Sequence, residues 1–246
     1  MQSQPPLDIY RLSEQAVTIE FGSKIDESIL QQVTHFNRLI NQNPFPGFQT
    51  TVPAYTTLTV FYNPLAVFSS PLPGTSCFEK VSGYLTSLKS KPVSAASVKN
   101  ETITIPVCYG GVFGPDIADV GKMHHITTDE VIRLHSDAVY KVYMIGFVPG
   151  FAYLGGMTDL LTSPRKQVPR EVIPAGSVGI AGNQTGVYPL ATPGGWQLIG
   201  RTPLKLFDVR RSRPSLLKAG DNVVFKPIDS REFDHLANLK NADTDH

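Results

Sequence analysis

The chain has 246 residues, of which 41% are hydrophobic, and its formal net charge at pH 7 is +1. This length and hydrophobic fraction suffice for one large domain or two ordinary domains with real cores. The small net charge argues against nucleic-acid binding, because nucleic-acid-binding domains normally carry a basic excess on one face.

The sequence also indicates where the protein works. No segment approaches the roughly 20 unbroken apolar residues that span a bilayer, and the N-terminal residues lack a signal-peptide pattern, so we expect no membrane association. The two cysteines, Cys77 and Cys108, favour a reducing cytoplasm over a disulfide framework. The histidines are not spaced as ligands of a shared metal, and we therefore predict no metal site.

Residues 1–90 have the pattern of a small α+β domain. Alternation over residues 16–21 and the β-branched and aromatic residues at 55–62 predict two strands. A helix behind Asp26 has apolar residues at three- and four-residue steps, and a second helix begins at the capping box 76–79. Two helices on one side of a small, mostly antiparallel sheet predict a ferredoxin-like domain.

The second half is predicted to be a separate domain. Residues 91–100 are polar and contain a proline, which indicates a linker. The following domain, residues 101–230, shows strand patterns and one further capping box. Its predicted strands are 102–109, 139–147 and 221–227, and its predicted helix begins at 127–130. The charged residues 231–246 are predicted to form a flexible tail.

The stretch from Tyr143 to Lys205 has an unusual composition. Eleven of the chain's 20 glycines and its only tryptophan lie there. Repeated turns between short apolar pieces predict a closed β-structure whose loops return to one face. The glycine-flanked aromatics Phe147, Phe151 and Tyr153 are either core residues or the lip of a pocket or subunit contact.

Charged residues are few in this stretch, and most of them are basic. Arg165 and Arg170 each follow a proline, and Arg201 precedes a Thr-Pro pair. A guanidinium group can bind a carboxylate or phosphate through two parallel hydrogen bonds, so the three arginines predict an anion site, although each alone is also typical of a solvated loop. No phosphate-binding loop or GxGxxG motif occurs. Neighbours that could complete the site are Gln184, Tyr188 and Trp196.

Several segments of this sequence resemble a known family. They are IPVCYGGVFGPD (105–116), MIGFVPGFAYLGG (144–156), SPRKQVPR (163–170), the stretch 173–208 and LLKAGDNVVF (216–225). They resemble the family of the 5-oxoprolinase B subunit, which includes the sporulation-kinase inhibitor KipI and subunit 1 of allophanate hydrolase-type proteins.

The resemblance implies both a fold and an activity. The fold is a cyclophilin-like, mainly antiparallel β-barrel behind a small α+β domain. The activity is that of one component of 5-oxoprolinase, which works with the A and C subunits to open 5-oxo-L-proline to L-glutamate with ATP hydrolysis, and which is inactive alone. ATP is a co-substrate, accompanied by Mg²⁺, and no tightly bound cofactor is implied. The alternatives are an inhibitor of a sensor histidine kinase and a component of an allophanate- or urea-related amidohydrolase.

Candidate site residues follow from the resemblance and the charge pattern together. We assign catalytic roles to His135, Arg165, Arg170 and Arg201. We expect them at the barrel mouth, facing the C subunit. The candidates for substrate or nucleotide binding are Gly182, Asn183, Gln184, Tyr188 and Trp196.

Overall fold

The computed structural model describes residues 8–24, 26–89 and 101–242. The chain divides into two compact units, with the division between Lys99 and Asn100. Each unit has its own cluster of buried apolar side chains. The predicted linker, 91–100, lies outside the described residues, as does Ile25 at the predicted start of the first helix.

The N-terminal unit is a four-stranded antiparallel sheet with helices. The strand order is β1-β2-β4-β3. Its elements are β1 (Asp8–Ser13), β2 (Ala16–Glu20), α1 (Glu27–Gln42), β3 (Phe48–Pro53), β4 (Thr57–Tyr62), α2 (Pro64–Phe68) and α3 (Cys77–Leu88).

The helix starts in this unit are where capping chemistry predicts them. The Asp26 carboxylate accepts a hydrogen bond from the Ser28 amide at 2.7 Å, and the Ser76 hydroxyl accepts one from the Glu79 amide at 3.2 Å. Each bond satisfies an amide that has no partner within its helix. The apolar face of α1 is buried through residues such as Val33 and Ile40, as the predicted stripe requires.

The ferredoxin-like prediction is not confirmed, although part of that arrangement is present. Strands β2 and β3 are joined through α1 with β4 between them, which is the split β-α-β unit of that fold. The edge position beside β2 is occupied by β1, whereas a ferredoxin-like domain places its last strand there. Strand β1 pairs with β2 as a hairpin, so the element order along the chain is β-β-α-β-β-α-α.

The C-terminal unit is a closed seven-stranded barrel with the order β10-β7-β6-β13-β5-β12-β9. Pairing of β9 with β10 closes it. Its elements are β5 (Thr102–Tyr109), α4 (Ile117–His124), α5 (Thr128–Ser136), β6 (Val139–Ile145), β7 (Ala152–Gly155), a 3₁₀ turn (Asp159–Leu161), β8 (Arg170–Ile173), β9 (Ser177–Ala181), β10 (Gln184–Val187), β11 (Thr192–Gly194), β12 (Gln197–Arg201), β13 (Asn222–Ile228) and α6 (Ser230–Ala242).

The barrel confirms the predicted mainly β domain. All neighbouring strands run antiparallel except β5 and β13, which pair in parallel along seven residues, so the sheet is mixed. Strands β8 and β11 form a separate two-stranded sheet outside the barrel. The more specific cyclophilin-like assignment stays a prediction.

Residues 230–242 form α6, whereas the sequence predicted a flexible tail over residues 231–246 and no helix. The Asp229 carboxylate accepts a hydrogen bond from the Glu232 amide at 2.8 Å and so caps the helix start. The Phe233 ring packs on Phe113, with ring centroids 4.6 Å apart. This contact gives a largely polar segment one apolar anchor.

Candidate functional site

The clearest cavity in the glycine-rich stretch 143–205 is a pocket of about 250 Å³ in the barrel unit, lined largely by aromatic side chains. We call it the aromatic pocket. Its walls combine aromatic rings, loop prolines and glycines with one cation. They are Phe147, Phe151, Tyr153, Arg165, Pro169, Tyr188, Pro193, Gly194, Gly195 and Trp196.

The aromatic rings of the pocket support one another. Phe151 is buried and makes edge-to-face contacts with Tyr188 and Trp196, at centroid distances of 5.2 and 5.5 Å. Such pairs contribute about 0.5–1.5 kcal/mol beyond the burial of their area. Gly194 permits the close packing, because a Cβ there would lie 2.6 Å from the Tyr188 hydroxyl. The rings therefore form a preformed apolar wall.

Arg165 supplies the pocket's positive charge. Its side chain is exposed, and among residues 8–24, 26–89 and 101–242 it has no hydrogen bond or ion pair. Burial raises the pKa of Tyr188 to about 12, and the Arg165 charge acts in the opposite direction. At neutral pH the pocket therefore presents a cation beside a neutral phenol.

A buried carboxylate holds the loop that carries Arg165. Asp116 is 3% exposed, and its Oδ1 accepts hydrogen bonds from Arg170 at 2.7 Å and Lys166 at 2.9 Å. Its Oδ2 accepts the Leu198 amide of β12 at 2.7 Å. Burial alone would raise the pKa of this carboxyl, but these donors outweigh it and hold the pKa below its usual value. Asp116 thus fastens residues 164–170 to the barrel.

The three predicted arginines have different surroundings. Arg165 lines the aromatic pocket, whereas Arg170 and Arg201 are absent from its lining. Arg170 is paired with Asp116, and the Arg201 Nε donates to the Ala175 carbonyl at 2.8 Å. The structure therefore brings only the first of the three to this pocket, and a shared anion site of all three stays a prediction.

His135 does not lie at the barrel mouth, where we expected it. It is wholly buried in the barrel unit, stacked on Phe225 at a centroid distance of 4.5 Å. The Thr185 hydroxyl donates to the Gly179 carbonyl at 3.0 Å, so it accepts from His135 Nε2 at 2.9 Å. His135 Nδ1 accordingly accepts from the Tyr109 hydroxyl at 2.8 Å.

Burial dominates the chemistry of His135. It lowers the pKa of the imidazole to about 3, so the ring is neutral at physiological pH. With both nitrogens occupied inside the core, this side chain is placed to hold strands and helix together. The expected position at the mouth is thus corrected, and the catalytic role assigned to His135 stays a prediction.

The residues predicted to bind substrate or nucleotide lie in two places, the aromatic pocket and the β9–β10 hairpin. Tyr188 and Trp196 both line the pocket. Gly182 and Asn183 are exposed and form the turn between β9 and β10, and Gln184 begins β10. Gly182 exchanges two backbone hydrogen bonds with Ser163, at 2.7 and 3.1 Å, which fastens this turn to the segment that leads to Arg165.

Sequence reasoning missed Asp116. It precedes α4 and so has the local signature of a helix cap, yet its side chain makes no cap hydrogen bond. Its partners Arg170 and Leu198 are 54 and 82 positions away. Its place at the end of the segment IPVCYGGVFGPD (105–116), which carries part of the family resemblance, was an available signal.

Neither metal-ligand clusters nor membrane spans occur in the part of the chain that the structure describes. No group of three or more His, Cys, Asp or Glu side chains there could hold a metal ion. None of the helices described is both long and apolar enough to cross a membrane.

Known proteins show where this chain belongs. The model of the carboxyltransferase domain, subdomain C and D, matches residues 7–217. The 5-oxoprolinase B subunit of Bacillus subtilis is 46% identical over 226 residues, which cover 92% of this chain and 94% of that protein. The Haemophilus influenzae protein of the same name is 56% identical over 123 residues, 50% of this chain and 58% of its own length.

A solved structure agrees with these sequence matches. The crystal structure of TTHA0988 has a TM-score of 0.74 and 32% sequence identity, and the match covers 88% of this chain and 40% of that chain. The fold and sequence together define a carboxyltransferase domain of the C and D subdomain type. Within that class, the chain belongs to the family of the 5-oxoprolinase B subunit.

Proposed function

We propose that this chain is the B subunit of an ATP-dependent 5-oxoprolinase. It acts with the A and C subunits to open 5-oxo-L-proline to L-glutamate. The observation that carries the proposal is the 46% identity to a 5-oxoprolinase B subunit over nearly the whole of both chains. The aromatic pocket, with one unpaired cation, supports it by offering a place for a small anionic substrate.

The chemistry explains why cations are needed. Hydrolysis of an unactivated lactam is slow near neutral pH, so the γ-phosphoryl group of ATP is first transferred to the amide oxygen. Water then attacks the activated carbon, the C–N bond breaks, and the nitrogen takes up protons as the amine of L-glutamate. ADP is the leaving group of the phosphoryl transfer, and a second water hydrolyses the resulting acyl phosphate to release phosphate. Negative charge on the transferred group requires positioned cationic or N–H donors in the assembled enzyme.

The described residues offer donors and aromatic surface rather than a complete catalytic set. We therefore propose that the chain is inactive alone, with the ATP phosphates and their Mg²⁺ bound in the assembled enzyme. Mg²⁺ commonly binds through substrate phosphates and only one or two carboxylates. Arg165 is the proposed substrate contact, and Arg170 and Arg201 support the loops around it.

The free thiols of Cys77 and Cys108 support a cytoplasmic location. The alternatives of a histidine-kinase inhibitor and a component of an allophanate- or urea-related amidohydrolase stay predictions, since no contact or charge of the described residues favours either.

Reconstitution tests the proposed function. The purified chain and its A and C partners are assayed singly, in pairs and together for ATP-dependent release of L-glutamate from 5-oxo-L-proline. Turnover should require all three. ATP-dependent turnover by this chain alone, or an unchanged rate when it is omitted, would refute the proposed division of labour.

A further inference from the structure

The size of the aromatic pocket restricts its ligand. Pockets for drug-sized molecules have volumes of about 300–1,000 Å³. At about 250 Å³, the aromatic pocket lies below that range. A small ring fits within such a volume, whereas most of a nucleoside triphosphate would lie outside it.

The lining restricts the chemistry of the ligand as well. Phe151, Tyr188 and Trp196 provide flat apolar surface, and Arg165 provides a fork of donors without a competing acid. A guanidinium group in this setting matches a single carboxylate bidentately. The Tyr188 phenol is neutral, so it keeps a proton that it can donate to a ligand oxygen.

The lip of the pocket carries a strained aromatic residue. Phe147 has a φ of +68°, which is rare for a bulky side chain, and the residue is 63% exposed. An exposed aromatic side chain on a strained backbone is rare unless the residue has a function. Such strain is concentrated at active sites and at segments that close over ligands. Phe147 contacts Phe151 edge to face at 5.6 Å, so its ring stands at the edge of the same aromatic wall.

We infer that the aromatic pocket binds a small lactam ring bearing one carboxylate, and not the nucleotide, with Arg165 on the carboxylate and Phe147 covering the ring. The identity of the ring as 5-oxo-L-proline rests on the proposed function. Tyr188 and Trp196, which the sequence assigned to substrate or nucleotide binding, are thus assigned to the substrate alone.

The chain's only tryptophan makes this inference measurable. Trp196 lines the pocket, so its fluorescence should change saturably when the full-length chain is titrated with 5-oxo-L-proline. 2-Pyrrolidinone, which has the ring without the carboxylate, should bind far more weakly. ATP alone, with excitation at the red edge of tryptophan absorption, should leave the emission unchanged. Calorimetry on the same samples measures Kd independently.

Variants assign the contacts. Arg165→Ala should raise Kd about 10- to 100-fold, as expected for loss of a charged hydrogen bond, and Arg165→Lys should recover little of it. Phe147→Gly should raise Kd about 3- to 10-fold without lowering Tm, because glycine removes the strain. His125→Gly is the matched control. His125 has a similar φ of +58° but lies outside the aromatic pocket, so glycine there relieves the same kind of backbone strain and Kd should not change.

Several outcomes would overturn the inference. They are no saturable response to 5-oxo-L-proline, equal affinity for 2-pyrrolidinone, quenching by ATP alone, or an unchanged Kd in Arg165→Ala. The proposed function fails separately. Turnover by the reconstituted enzyme without binding in this pocket would reject only the pocket assignment, and binding without any turnover would reject only the activity.

Discussion

Asp116 accepts a hydrogen bond from Arg170 at 2.7 Å, although the two residues are 54 positions apart. The same carboxylate receives Lys166 and the backbone of β12. An anion that is only 3% exposed is thereby compensated by three donors. The pairing accounts for Arg170, which sequence alone had left available for a ligand, and for the neighbouring Lys166.

Asp116→Asn should destabilise the barrel unit by about 2–3 kcal/mol, because Arg170 loses the charge that compensates it and buried charged hydrogen bonds are worth about this much. Urea denaturation of the full chain measures the change. Glu130→Gln is the control, since it breaks an ion pair with Arg133 on the exposed face of α5 and should alter stability little. Equal effects of the two substitutions would contradict the role given to Asp116.

His135 should remain neutral well below pH 6.5. Its folded-state pKa of about 3 lies below the ordinary value of 6.5, so the unfolded chain takes up a proton that the native chain does not. The free energy of unfolding should therefore fall as pH drops from about 6.5 towards 3, by at most about 1.4 kcal/mol per unit from this group.

Nitrogen NMR of the ring measures this directly. The spectrum should show the neutral tautomer with the proton on Nε2 at pH 5. A fully protonated ring at pH 5, or a proton on Nδ1, would contradict the hydrogen-bond network assigned to Tyr109 and Thr185.

Gly194→Ala should reduce occupancy of the aromatic pocket. A Cβ there would lie 2.6 Å from the Tyr188 hydroxyl and 2.7 Å from an Ile173 methyl, so Tyr188 must move. We expect KM for 5-oxo-L-proline in the reconstituted enzyme to rise about tenfold, with kcat changed less. At Gly195 the nearest atom would be 3.5 Å away, so Gly195→Ala should have the smaller effect. The reverse order would show that the Gly194–Tyr188 contact does not shape the site.

Phe233→Ala should lower the free energy of unfolding by about 1–2 kcal/mol, through loss of its partly buried contact with Phe113. Hydrogen exchange should then accelerate in α6 before it does in the barrel strands. Fast exchange throughout α6 in the unaltered protein would instead support the flexible tail that the sequence predicted.

Local chemistry explains which parts of the fold were predictable. The caps at Asp26, Ser76 and Thr127 use the residue types expected, and each accepts the predicted kind of backbone hydrogen bond. Edge strands β1 and β3 were missed because much of their length is exposed, which removes the alternation of buried and exposed positions. Helix α4 contains Gly121, and α6 buries little, so neither had a strong periodic signal.

The site was predictable only in part, because three of the nine candidate residues line the aromatic pocket and the other six do not. Composition indicated that Arg165, Tyr188 and Trp196 contribute to one binding site, and all three line the aromatic pocket. It could not tell a free arginine from a paired one, because the partner of Arg170 is distant in sequence. The sequence also could not show that His135 of α5 lies in the core, because its partners Tyr109 and Thr185 come from strands that are distant along the chain.

The most direct test of the account is steady-state turnover of 5-oxo-L-proline by the reconstituted three-component enzyme carrying Arg165→Ala or Arg165→Lys, with circular dichroism as the folding control. We expect kcat/KM to fall by the equivalent of about 2–4 kcal/mol in the alanine variant, with poor recovery by lysine and an unchanged fold. Arg133→Ala, an exposed arginine on α5, should retain the normal rate. A normal rate in Arg165→Ala would contradict the assignment of this arginine to the substrate.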